Sequence, residues 1–208
     1  MSDKLGPIEQ LMVYLKEDLE TMFGECKEED GIFRSLAENL GVTCSGALIE
    51  ADIEGLENGD GDPYPAIYFH ITLAKEVDKE NFPRITDMLN DINVALSVGE
   101  YPAFGTFCLY KPLKQIFYSY RMPINIGSIE DERENIRYFI ASVLNQLDIF
   151  VDLMQFVSSG VEDLKVDRYI QYIKDLADLN DLKERTEALS KMLEEFDVKF
   201  DVAEDDPE

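Results

Sequence analysis

The sequence has no tryptophan, one histidine and three cysteines in 208 residues. Each scarcity removes a class of chemistry. A single histidine cannot build an ordinary His-based zinc centre. Cys26, Cys44 and Cys108 are odd in number and form no CxxC pair, which argues against a disulfide framework and for a reducing compartment, the cytoplasm. No GxSxG or Cys/His signature of a nucleophilic enzyme is present, and Gly59-Asp60-Gly61 lacks the third glycine and the following helix of a phosphate-binding loop. Bases are scarce too: 19 Lys and Arg stand against 44 Asp and Glu, a formal charge of −25. That charge repels phosphates, so nucleic acids and anionic membranes are not expected as partners. No continuous apolar run approaches the roughly 18 residues of a membrane span. The stretch from Met1 to Leu5 lacks the basic region and apolar run of an export signal.

What is present is globular. A hydrophobic share of 45% and an aromatic share of 11% suffice for a real core without disulfides, so the charge does not by itself argue for disorder. The pattern divides the chain into an α+β domain over residues 1–160, a helical extension over 161–200 and an acidic tail over 201–208.

Ile8, Leu11, Met12, Leu15, Leu19 and Met22 fall on one helical face, and Pro7 suits a first helical position, so a helix is expected from Pro7 to about Phe23. A charged turn from Gly24 to Asp30 and a shorter helix from Ile32 to Leu40, stopped by Gly41, are expected next. Period-two alternation then takes over. Ala47, Ile49, Ala51 and Ile53 alternate with Leu48, Glu50, Asp52 and Glu54; Pro65, Ile67, Phe69, Ile71 and Leu73 alternate with Tyr64, Ala66, Tyr68, His70 and Thr72. These predict a hairpin across Asn58 to Pro63. A helix from about Asn81 to Val98, ended by Gly99, precedes a strand pair over about Ala103 to Tyr110 and Gln115 to Ile124, joined by Lys111-Pro112-Leu113-Lys114. A long helix is expected from Ser128, with Asp131 completing a capping box, to about Ser158, followed by helices over Val166 to Ala177 and Leu182 to Phe196. The sum is an antiparallel sheet of about four to five strands packed with helices.

The candidate chemistry is sparse. Asn58, Asp60 and Asp62 match the first oxygen positions of an EF-hand loop, but Pro63 stands at the glycine position and Phe69 at the bidentate glutamate, so turn formation explains them better and no metal or cofactor is expected. His70 shares a strand face with Tyr68 and Thr72. It could act as acid or base with Glu50 or Asp52, the alternative enzymatic reading, although a surface or interface histidine needs no such partners. Phe104, Phe107, Tyr110, Phe117, Tyr118 and Tyr120 fall on both faces of the second strand pair. A sheet apolar on both faces needs two covers, the second being either the C-terminal helices or a partner. Tyr68, His70, Tyr110, Tyr118 and Tyr120 are therefore the candidate contact surface.

Leu89-Asn90-Asp91-Ile92-Asn93, a strand ending at Tyr110, a turn, and a strand from Ile116 to Met122-Pro123-Ile124 before the long helix together resemble the YbjN-like bacterial family, described as sensory transduction regulators with a type III secretion chaperone-like fold. The resemblance covers about residues 64 to 158. It departs at Lys111 to Lys114, which lacks the Asp-Gly expected there, and in the tail beyond residue 160. It implies a non-enzymatic, often dimeric binder of protein or peptide, with no catalytic residues. Asn93, with Asn90 in second place, would match the family's helix asparagine, in the structural role of bonding backbone where helix meets strand.

Overall fold

The computed structural model describes residues 6–57, 63–98, 104–161, 164–175, 186–187 and 189–191. It is an α+β fold in which one six-stranded antiparallel sheet, in the order β1-β2-β3-β4-β6-β5, is packed with helices. Helix α1 spans Pro7–Phe23, and the strands β1 (Lys27–Glu29), β2 (Ile32–Leu40), β3 (Cys44–Glu57) and β4 (Pro63–Ala74) follow as successive hairpins. Helix α2 (Phe82–Val98) leads to β5 (Thr106–Tyr110) and β6 (Gln115–Pro123), then to α3 (Ile129–Ser158) and α4 (Val166–Asp175).

The expected short helix at Ile32 to Leu40 is instead β2, and the charged turn before it contains β1. The turn between them is Asp30-Gly31, both with positive φ (55° and 79°). That is the backbone of a two-residue hairpin turn, for which Asp-Gly is a strong sequence signal. Gly41 ends no helix. With φ of 58° it turns the chain from β2 to β3. An added Cβ there would stand 2.7 Å from Asp152 and Val151 of α3. The close approach has a purpose: Asp152, 1% exposed, accepts from the Val42 and Thr43 amides and the Thr43 hydroxyl, and Asp148 accepts from the Gly41 amide at 2.7 Å. Successive backbone donors of a tight turn thus receive anionic acceptors from the core helix.

Helices α1, α2 and α3 lie against one face of the sheet. Leu11, Leu15 and Leu19 at helical spacing are fully buried, each contributing roughly 1.5–3 kcal/mol by leaving water. Asp18 is buried between them and α3, where Arg137 and Arg133 hold it at 2.7 and 2.9 Å. By length and composition α3 could cross a bilayer, but 61% of its most apolar window is buried inside the protein, as befits the central core helix. Its expected capping box is not formed. Ser128 makes no side-chain cap bond, and a 3-10 turn, Ile126–Ser128, leads in with the Asn125 side chain accepting from Gly127. The helix stops at Gly160 (φ 93°), where Val161 N–H returns to Phe156 O and Gly160 N–H to Val157 O.

The extension begins as expected with α4, which packs against α2 and α3 and buries Tyr169 completely. Residues 186–187 and 189–191 are helical, and Leu189 is buried in the same core. The rest of the expected last helix, the acidic tail, Gly99, and the loop carrying Asn58, Asp60 and Asp62 lie outside the described residues.

Candidate functional site

The pleat sorts the sheet into a covered face and an open one. Phe33, Ala47, Ile49, Ala51, Ile67, Phe69, Ile71, Phe107 and Tyr118 are buried under the helices. Residues of the opposite alternation form rows across the strands, read directly from register. One row is Leu36, Leu48, Thr72, Phe117 and Cys108 on β2, β3, β4, β6 and β5; the next is Arg34, Glu50, His70, Ser119 and Thr106. The first row is almost entirely apolar. Across four inter-strand steps of about 4.8 Å it spans about 19 Å. Among the described residues no helix lies on it, because α4 packs on α2 and α3.

The contact residues expected from sequence divide between the faces. Tyr68 and His70 are on the open face, partly exposed. Tyr110, 48% exposed, ends the edge strand β5. Tyr118 and Tyr120 do not join them. Tyr118 is fully buried against Phe107, and Tyr120 stacks on Phe139 of α3 at 4.7 Å between centroids. The reason is the period of two: Tyr118 and Tyr120 share the side of β6 that meets Ile71 and Phe69, whereas Phe117, Ser119 and Arg121 face outward. Phe117, Leu36 and Leu48 are thus face residues that the sequence reading left out. Ser119 and Arg121 in alternation with Phe117 were the signal that this side is wet.

On the open face the rings form a ladder. Arg121 lies 4.3 Å from the centroid of Tyr68, Tyr68 leans on His70, and His70 stacks on Phe117 at 4.5 Å. Arg34 bonds Glu50 at 2.9 Å, and Arg121 bonds Glu54 at 2.7 Å. Burial pushes the His70 imidazole below its usual range, against a weaker upward pull from Glu50. Asp52 is pushed up by burial and then by Glu54, with Arg121 pulling the other way.

The proposed acid-base groups are therefore neighbours: Glu50 sits opposite His70, Asp52 opposite Tyr68, and Ser119 opposite His70 on the other side. Their bonds are made elsewhere. Glu50 is held by Arg34, and among the described residues the hydrogen-bond contact of His70 is the Tyr68 hydroxyl at 3.5 Å, too long and too neutral to orient a catalytic base. Among the described residues no cluster of three or more His, Cys, Asp or Glu is placed to hold a metal.

The edges of the sheet are blocked in part. β1 is three exposed charged residues, a short edge that resists strand addition. At the other edge Asn93 of α2 donates to the Phe107 carbonyl and accepts from the Phe107 amide, both at 3.0 Å. The side-chain amide satisfies the two groups of one edge residue as a neighbouring strand would. This is the corner where the sequence places an asparagine bonding backbone between helix and strand. Asn90 is exposed. No family model, curated protein or solved structure matches the chain.

Proposed function

We propose that the protein is a non-enzymatic module that binds a protein or peptide on the open face of its sheet. The observation that carries this reading is the apolar row from Leu36 to Cys108, which crosses five strands without a described helix over it. A sheet face of this kind is a contact surface in want of a cover. The resemblance of residues 64 to 158 to the YbjN-like family, with its type III secretion chaperone-like fold, implies the same binding role.

The test is affinity capture with the native chain beside a Leu36→Asp variant and a Phe117→Ser variant, each first shown to melt cooperatively. The reading predicts a partner retained by the wild type and lost by both variants. Capture unchanged by either substitution would remove the face from the function.

A further inference from the structure

Resting on that reading, we infer that the occupant of the open face is a basic amphipathic segment of another polypeptide. Its apolar side chains lie on the Leu36-to-Phe117 row, and its Lys or Arg side chains meet Glu38 and Asp52. The apolar part of the argument begins at Leu36. It is 49% exposed on β2, and three surface grooves of about 430, 390 and 370 Å³ share it as a wall. One runs toward Met22, Phe23 and Leu40, one toward Leu48 and Thr72, and one toward Phe23, Arg34 and Leu48. Gly46, diagonal to it on β3 and opposite Glu38, makes room, since a Cβ there would stand 3.1 Å from Leu36 Cδ1. Large side chains from a partner can enter on three sides of one exposed leucine, the arrangement of an anchor position.

The charge of the occupant follows from which carboxylates are already matched. Arg34 takes Glu50 and Glu29, Arg121 takes Glu54, and Lys27 takes Glu25. Glu38, exposed one position beyond the apolar row, and Asp52, on the far side of the Arg34-to-Ser119 row, have no ion pair within bonding distance among the described residues. The apolar row thus has Glu38 on one side and, beyond the Arg34-to-Ser119 row on the other, Asp52, whose charge Arg121 offsets only in part, on a chain of net charge −25. A cationic segment neutralises both; an acidic one would add repulsion. The same charges weigh against a second copy, because a twofold pairing of this face would bring each acidic rim toward its own image.

The row length of about 19 Å corresponds to about 13 helical residues. The probes are therefore three labelled amphipathic peptides of about that length, Lys/Leu, Gln/Leu and Glu/Leu, titrated by fluorescence anisotropy into the full chain. The Lys/Leu peptide binds, the Gln/Leu peptide binds about tenfold more weakly, and the Glu/Leu peptide does not bind, with affinity falling as salt rises. Leu36→Asp weakens the Lys/Leu peptide by about tenfold or more and Glu38→Lys by about threefold, the latter a change at an exposed position that leaves the fold alone. Glu134→Lys, an exposed charge reversal on α3, has no effect. Equal binding of the Glu/Leu peptide overturns the inference. Equal weakening by Glu134→Lys and Glu38→Lys also overturns it, reducing the attraction to general acidity. If no peptide binds but Leu36→Asp abolishes self-association, the occupant is a second copy: this inference fails and the binding function stands. If no peptide binds and capture also returns nothing, both fail.

Discussion

Phe117 and Tyr118 are consecutive in β6 and belong to opposite sides of the sheet. Tyr118 is fully buried, edge-on to Phe107 at 5.1 Å, in a layer that continues through Phe107 to Phe150 of α3. Phe117 is partly exposed and stacks on the polar ring of His70, next to a guanidinium lying over Tyr68. Rings on the covered side meet rings and aliphatic chains, and burial supplies their energy. Those on the open side meet an imidazole and a guanidinium and stay partly exposed. The comparison teaches that aromatic content alone does not mark a contact surface; the neighbours two residues away do.

The widest contrast is between Phe69 and Phe117. Phe69→Ala should lower the unfolding free energy by about 3–5 kcal/mol, because it empties a site packed against Phe139, whereas Phe117→Ala should cost about 1 kcal/mol. Urea denaturation measures both. Equal losses would mean that the two faces are equally structural.

Asn93→Ala comes next. It leaves the Phe107 amide and carbonyl without their partner at the β5 edge and should cost about 2 kcal/mol, with faster amide exchange at Phe107. Asn93→Asp should not rescue it, since a carboxylate can accept from the amide but cannot donate to the carbonyl. Unchanged exchange in both variants would break the edge-closure account.

Tyr118→Phe runs against the usual direction. The buried Tyr118 hydroxyl has no hydrogen-bond partner among the described residues, lies where an added Cβ on Gly105 would stand, and burial raises its pKa. Removing an unsatisfied hydroxyl should be neutral or stabilising by up to about 1 kcal/mol. A marked loss of stability would show that the hydroxyl is paired in solution.

The smallest effect is a pH dependence on the open face. Asp52 has a folded pKa above its ordinary 3.8, so the fold binds this proton more tightly than the unfolded chain does. Stability from this site therefore falls as pH rises from 3.8 through the folded value, and Asp52→Asn should raise the urea midpoint slightly at neutral pH but not below 3.8. His70 acts at higher pH with the opposite sense: its folded pKa lies below 6.5, so stability is complete above 6.5 and declines as pH falls through the folded value. Matching pH profiles for Asp52→Asn and the wild type would remove the strain assigned to that carboxylate.

The elements with one clean period were legible. The leucines of α1, the alternation in β3 and β4, and the apolar stripes of α2 and α3 each had a single geometric reading. β2 did not, because Ile32, Phe33, Leu36 and Leu40 fit helical spacing while its true inward set, Phe33, Ser35 and Ala37, hides behind a serine bonded to the Glu25 carbonyl. Asp30-Gly31 was the clue to the hairpin of β1 and β2, the two strands not expected. Asn93 was singled out only through the family resemblance, with Asn90 in second place, and its bonds to Phe107 needed the fold to bring α2 beside β5. The face of Tyr118 and Tyr120 could not be separated from that of Tyr68 and His70 without the register between β4 and β6, a long-range pairing that no local pattern fixes.

The central claim is that the row ending at Cys108 is uncovered in the free protein and covered in the working one. The three thiols report it directly: Cys26 and Cys44 are buried, Cys108 is partly exposed on the open face, and burial raises the pKa of all three, so access rather than acidity orders their reactivity. Native alkylation followed by mass mapping should label Cys108 first and alone, and the Lys/Leu peptide should slow that labelling without touching the other two. An inert Cys108 in the free chain, or labelling of Cys26 or Cys44 ahead of it, would contradict the account.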